Sequence, residues 1–158
     1  MCGINIIIST INQPVKDSLQ AMQDNTQHRG PDAPGLFVHT NDYWQIGIGV
    51  NRLQVIDEDG ASNQPMISAC GNYVLAYNGE VYNYQDLKNQ LITKGYEFKT
   101  QSDTEVVLLW LQEKGVDGLS SFKGMFTLVF VDLNKSQVII ARDRQGIKPL
   151  FITRPKIN

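Results

Sequence analysis

The chain has 158 residues, with 14 Lys and Arg against 16 Asp and Glu for a formal net charge of −2. The length predicts one domain, or at most two small ones, and the charge balance argues against a protein built to neutralise a phosphate backbone, so no nucleic-acid partner is expected. A composition of 42% hydrophobic and 19% charged residues can bury a core, which excludes disorder and collagen-like structure.

Ile4–Ser9 reads as a buried strand. Val15–Asp24 places Val15, Leu19 and Met22 at helical spacing and predicts a helix. Gln27–Gly35 holds two Pro and two Gly and predicts a loop. Leu36–His39 and Tyr43–Asn51 predict a strand pair around Asn41-Asp42, and Asp57–Pro65 a polar loop. Ile67–Cys70 and Tyr73–Tyr77 predict a hairpin across Gly71-Asn72. Gln85–Thr93 carries Leu87, Leu91 and Ile92 on one face and stops at Lys94-Gly95, predicting a second helix. Ser102 with Glu105 reads as a capping box that opens a third helix through Lys114, ended by Gly115. Met125–Asp132 and Gln137–Arg142 predict a final strand pair. Segregated helices with mostly antiparallel strands indicate an α+β fold of packed layers.

The longest nearly apolar runs, Ile4–Ile8 and Met125–Val131, fall far short of the roughly 20 residues of a membrane span, so no membrane association is expected. Met1-Cys2-Gly3-Ile4 carries no basic segment before an apolar stretch and predicts no signal peptide. Two cysteines, Cys2 and Cys70, are too few for a disulfide scaffold. They read as reduced thiols in a cytoplasmic setting. Cys70 reads as a core or turn residue without chemistry. Two His without Cys-rich spacing give no metal signature.

Chemistry concentrates first at Cys2. Met1 precedes a small residue, the context in which initiator methionine is removed. Removal would leave a thiol and a free α-amine on one residue. Their ordinary pKa values, about 8.5 and about 7.7–8.0, differ by roughly one unit or less, so proton transfer from sulfur to nitrogen costs only about 1 kcal/mol. One residue could then serve as nucleophile and general base, as N-terminal Thr does elsewhere. A cysteine that merely packs beside Ile4 is the plainer alternative.

Asn78-Gly79 reads as a sharp turn after the strand Tyr73–Tyr77. The Asn78 amide and the Gly79 N–H could serve as oxyanion donors, or the pair could be a plain hairpin turn. Arg52, at the end of an apolar strand, reads either as a solvated strand end or as a carboxylate clamp. Asp103, in the first turn of a helix, favours the positive end of the dipole and could act as a cap. Together, Arg52, Glu80 and Asp103 would complement a free amino acid, the cation meeting its carboxylate and the anions its ammonium. His28-Arg29-Gly30-Pro31-Asp32 reads as a stiff polar loop, either an ordered turn or a lid.

These positions fall into ordered blocks: Cys2-Gly3-Ile4, His28–Asp32, Asn51-Arg52-Leu53, Tyr77–Asn83, Ser102–Glu105, Gly124-Met125-Phe126 and Arg142–Leu150. With these blocks the chain resembles the class II glutamine amidotransferase domain, an N-terminal-nucleophile hydrolase. Within that family it is most similar to the glutaminase half of asparagine synthetase. The resemblance implies a four-layer α/β/β/α sandwich and one glutaminase domain over residues 1–158, a fragment or subunit of a larger synthetase. It implies Cys2 as nucleophile with its α-amine as base, and Asn78 and Gly79 as the oxyanion hole. Arg52 would hold the carboxylate of L-glutamine, Glu80 and Asp103 would lie near its head group, and backbone around Val55 would line the pocket. His28–Asp32 resembles the glutamine-loop region.

The implied reaction hydrolyses glutamine to glutamate and ammonia through a Cys2 thioester and passes the ammonia to a synthetase domain or partner subunit. No cofactor is expected in this domain. ATP and Mg are expected only in the synthetase part, whose Ser-Gly-Gly-x-Asp-Ser loop does not occur in this chain. A homo-oligomer stays open. The alternative reading is a non-catalytic glutamine-sensing or scaffold domain with the same fold. Three positions depart from asparagine synthetases: Val50 and Asn63 stand where His is common, and Gln145 where Phe is common. None removes a group of the implied machinery, but they leave a sugar or another carboxylate open as the ammonia acceptor.

Overall fold

The computed structural model describes residues 2–10, 14–53 and 63–154. Strands β1 (Gly3–Thr10), β2 (Ala33–Thr40) and β3 (Trp44–Arg52) form one antiparallel sheet in the order β1-β3-β2. Alternation along β3 sets its two faces. Ile46, Ile48 and Val50 are fully buried and point toward a second sheet. Gly47 and Gly49 point the other way, under helix α1 (Lys16–Asn25). A Cβ on Gly47 would stand 2.9 Å from Leu19 Cδ2, so the glycine lets the helix lie close on the sheet. Buried Gln23 of α1 donates to the Val50 and Gly35 carbonyls at 3.0 Å each, which ties the helix to both β3 and β2.

The second sheet is antiparallel and has the order β4-β5-β6-β7, from β4 (Met66–Ile67), β5 (Tyr73–Val81), β6 (Gly124–Asp132) and β7 (Gln137–Arg142). Val74, Ala76, Val129 and Val131 meet the first sheet. Leu75, Tyr77, Leu128 and Phe130 point the other way, into a larger core with helices α2 (Tyr84–Thr93) and α3 (Asp103–Lys114). The layers are therefore α1, sheet, sheet and α2 with α3, the four-layer α/β/β/α sandwich that the family resemblance implies. Each fully buried aliphatic side chain contributes about 1.5–3 kcal/mol. Truncating Phe130, 2% exposed in the helix-side core, would cost about 3–5 kcal/mol. Among the described residues no helix is long and apolar enough to cross a membrane.

The structure corrects the local reading in four places. Asn78-Gly79 is not a turn. It lies inside β5, opposite Thr127 and Phe126 of β6. The first strand of the predicted Ile67–Cys70 hairpin shrinks to Met66–Ile67, and the chain turns through Ser68–Asn72 with Gly71 at φ 77°. β2 starts at Ala33 and takes Pro34 and Gly35 from the predicted loop, which an edge strand tolerates. The capping box does not form, although Ser102 caps the helix: its Oγ accepts from Thr104 N, the second N–H of the helix, at 3.0 Å. The Glu105 carboxylate instead accepts from Lys99 N, Thr100 N and the Thr100 hydroxyl, bracing the segment before the helix.

Candidate active site

A cleft of about 820 Å³ opens where the two sheets face each other. Its walls come from both: Cys2 and Ile4 from the first sheet, and Asn78, Thr127, Val129 and Ile140 from the second. Cys2, half-buried, reaches this cleft because it continues β1 on the face that carries Ile4. Asn78, 8% exposed, reaches it because it continues the inward face of Val74 and Ala76. His28 and Arg29, in a 3-10 turn at Gln27–Arg29, line the same cleft.

Gly3 pairs with Asn51 at the end of β1, and continuing that register one step outward would set Cys2 against Arg52. Arg52 shares the inward parity of Ile46, Ile48 and Val50, and its Nη1 donates to Asn63 Oδ1 at 3.0 Å. The polar loop folds onto this strand end. Asp32 N donates to the Arg52 carbonyl at 3.2 Å, and a Cβ on Gly30 would fall 2.2 Å from the Asn51 carbonyl oxygen. Only glycine allows that approach. Val55, expected to line the pocket, lies outside the described residues.

Among the described residues, β5 has an open edge that β4 covers only at Val74 and Leu75. Beyond that, side chains of described residues take the place of a neighbouring strand. Tyr77 N donates to Gln64 Oε1 at 2.6 Å, and Val81 N donates to Asp103 Oδ2 at 3.0 Å. N–H groups two residues apart point to the same side of a strand, so the Gly79 N–H between them is aimed at this edge. Gly79 is also required sterically, because a Cβ there would lie 2.2 Å from the Met125 carbonyl oxygen. Glu80, next along β5, is exposed.

Asp103 opens α3 and also accepts from the Tyr77 hydroxyl at 2.7 Å. Burial pushes its carboxyl above the usual range, and the Val81 N–H and the Tyr77 hydroxyl only partly oppose this. Both of these donors are neutral, so a cation would be welcome there.

The segment that leads into the cleft wall at Pro149 is braced by a carboxylate to which the sequence reading gave no role. Asp143 accepts from the backbone N–H groups of Phe126, Ile147 and Lys148 at 3.2, 2.9 and 3.0 Å. Burial would raise its pKa, but those N–H groups outweigh burial and hold it low. Thr127 Oγ1 donates to the Lys148 and Pro149 carbonyls, which seats Pro149 and Leu150 in the wall of the cleft. The contacts of Gln64, Tyr77, Thr127 and Asp143 were not legible in the sequence. Their signal is a contact between segments distant in the chain. Among the described residues no group of three His, Cys, Asp or Glu converges on a metal-sized point.

A family model described as "Glutamine amidotransferase domain" matches residues 1–158. The chain is 33% identical to the putative asparagine synthetase [glutamine-hydrolyzing] 2 of Methanocaldococcus jannaschii, covering 96% of this chain and 32% of that protein. It is 36% identical to the asparagine synthetase [glutamine-hydrolyzing] 2 of Bacillus subtilis, over 99% of this chain and 20% of the relative. It is 38% identical to the asparagine synthetase B of Escherichia coli, over 80% of this chain and 22% of the relative. The chain thus spans between a fifth and a third of the length of these relatives. The fold resembles that of a glutamine phosphoribosylpyrophosphate amidotransferase from B. subtilis, with a TM-score of 0.72 at 22% identity, over 94% of this chain and 38% of that one. With a family match along its whole length and a shared sandwich, the chain belongs to the glutamine amidotransferase domain family.

Proposed function

We propose that the chain releases ammonia from glutamine, with Cys2 as the nucleophile. The observation that supports this most is the placement of Cys2 and Asn78 in the walls of one cleft, from opposite sheets. After removal of Met1, the Cys2 α-amine takes the thiol proton, and the thiolate attacks the carboxamide carbon of glutamine. The Asn78 side-chain amide and the Gly79 N–H receive the oxyanion. The protonated amine then delivers its proton to the leaving ammonia, and water hydrolyses the γ-glutamyl thioester to glutamate. Arg52 pairs with the substrate carboxylate. Asp103 and Glu80 meet its ammonium group.

The ammonia acceptor is a synthetase part outside this chain, of the asparagine synthetase type carried by the relatives, and that part would supply the ATP and Mg chemistry. The test is glutamate release by wild type and by Cys2→Ala. The variant should lose turnover while its melting curve stays unchanged. Retention of wild-type glutamate release by Cys2→Ala would refute the proposal.

A further inference from the structure

Tyr77 is 2% exposed and lies on the helix-facing side of β5, in the larger core with Leu75, Val107 and Leu108. A phenol hydroxyl buried there needs an acceptor. It finds Asp103 Oδ2 at 2.7 Å, the atom that also receives Val81 N. We propose that Tyr77 is a positioning residue for recognition of the substrate ammonium group, its hydroxyl fixing the Asp103 carboxylate at the open edge of β5. The inference rests on the reading that Asp103 meets the glutamine head group, and deepens it.

Three features support the role. Neighbouring strand residues point to opposite faces, so Asn78 is aimed into the cleft and Tyr77 at Asp103, and the open edge is where the two faces meet. Burial, then the Asp103 charge, push the Tyr77 hydroxyl far above its ordinary pKa, so it remains a donor at every working pH. A hydrogen bond to a carboxylate is stronger than a neutral one and favours the charged form that binds a cation. Among the described residues the ionisable side chain acting on the Tyr77–Asp103 pair from outside it is Glu80, also on β5; Lys88 on α2 and Glu105 on α3 are engaged elsewhere. Lys88 Nζ lies 3.5 Å from the Thr100 carbonyl and 3.3 Å from Gln101 Oε1, and Glu105 is tied to Lys99 and Thr100.

The test measures kcat and KM for glutamine between pH 5 and 8 in wild type, Tyr77→Phe, Asp103→Asn and the double variant, with 4-carbamoylbutanoate as the substrate analogue lacking the ammonium group. Tyr77→Phe should raise KM for glutamine about fivefold, with kcat within about twofold, and move the acidic limb of kcat/KM to higher pH. Preference for glutamine over the analogue should shrink by a similar factor, whereas a purely structural loss would weaken both substrates alike. On the Asp103→Asn background, Tyr77→Phe should add nothing further.

An unmoved acidic limb, or a full additional effect in the double variant, overturns the inference while leaving the head-group reading intact. Asp103→Asn with wild-type KM overturns both. If Tyr77→Phe does not fold, the hydroxyl proton of Tyr77 can be followed by NMR in Cys2→Ala protein. Its resonance should shift on saturation with glutamine, and an unmoved resonance overturns the inference.

Discussion

Replacing Gly79 by alanine would put a Cβ 2.2 Å from the Met125 carbonyl oxygen and 2.6 Å from Phe126 Cα. Ordinary contacts begin at 3.4 Å, and both obstacles are backbone, so no rotamer change relieves the clash. β5 and β6 must part by about 1 Å, an overpacking that costs about 1–3 kcal/mol. For a chain of this size each kcal/mol lowers the melting temperature by about 2–4 °C, so a drop of roughly 2–12 °C is expected. The same shift moves the Gly79 N–H and the adjoining Asn78, and a displacement of about 1 Å in a catalytic group can cost about 100-fold in rate. The assay is glutamate release at saturating glutamine beside a thermal melt. Gly95→Ala serves as the control, because its Cβ meets nothing within 4 Å and only its φ of 88° is strained. It should lower the melting temperature and leave kcat unchanged. A Gly79→Ala protein with wild-type kcat would refute the reasoning, whatever its melting temperature.

Asn78→Ala should lower kcat by about 10²–10³ while glutamine still binds, as measured by single-turnover rates and equilibrium binding. Glu105→Ala strips the Lys99 and Thr100 N–H groups and the Thr100 hydroxyl of their acceptor and should cost about 2–3 kcal/mol in denaturant unfolding. Asp103→Asn removes a charge that burial disfavours. Because the folded carboxyl titrates above the ordinary 3.8, wild type loses stability as pH rises from that value through the raised one. The variant should therefore melt at or above wild type at pH 7, with the difference vanishing below about pH 4, although it binds glutamine less well.

The helices were legible because hydrophobic period and punctuation agree locally. The Val15–Leu19–Met22 spacing and the Gly95 and Gly115 stops place α1, α2 and α3 within a residue or two. Cys2 and Asn78 stand out in the sequence as candidates, and alternation along β1 and β5 accounts for their sharing a cleft. Asn78-Gly79 was misread for a physical reason. The pair has a strong intrinsic hairpin preference, and nothing local reveals that β6 passes so close that glycine is needed for space and not for a turn. The roles of Gln64 at the Tyr77 N–H, Tyr77 at Asp103, and Asp143 under β6 join residues 13, 26 and 17 positions apart, and no local pattern carries them.

The central claim is that the nucleophile and its base are the side chain and the freed amine of Cys2. Intact-mass measurement and glutamate release on the same preparation test it directly. Active protein should carry the mass of the chain without Met1, and protein with Met1 retained or the Cys2 amine acylated should be silent. Full turnover by protein that still carries Met1 would contradict it.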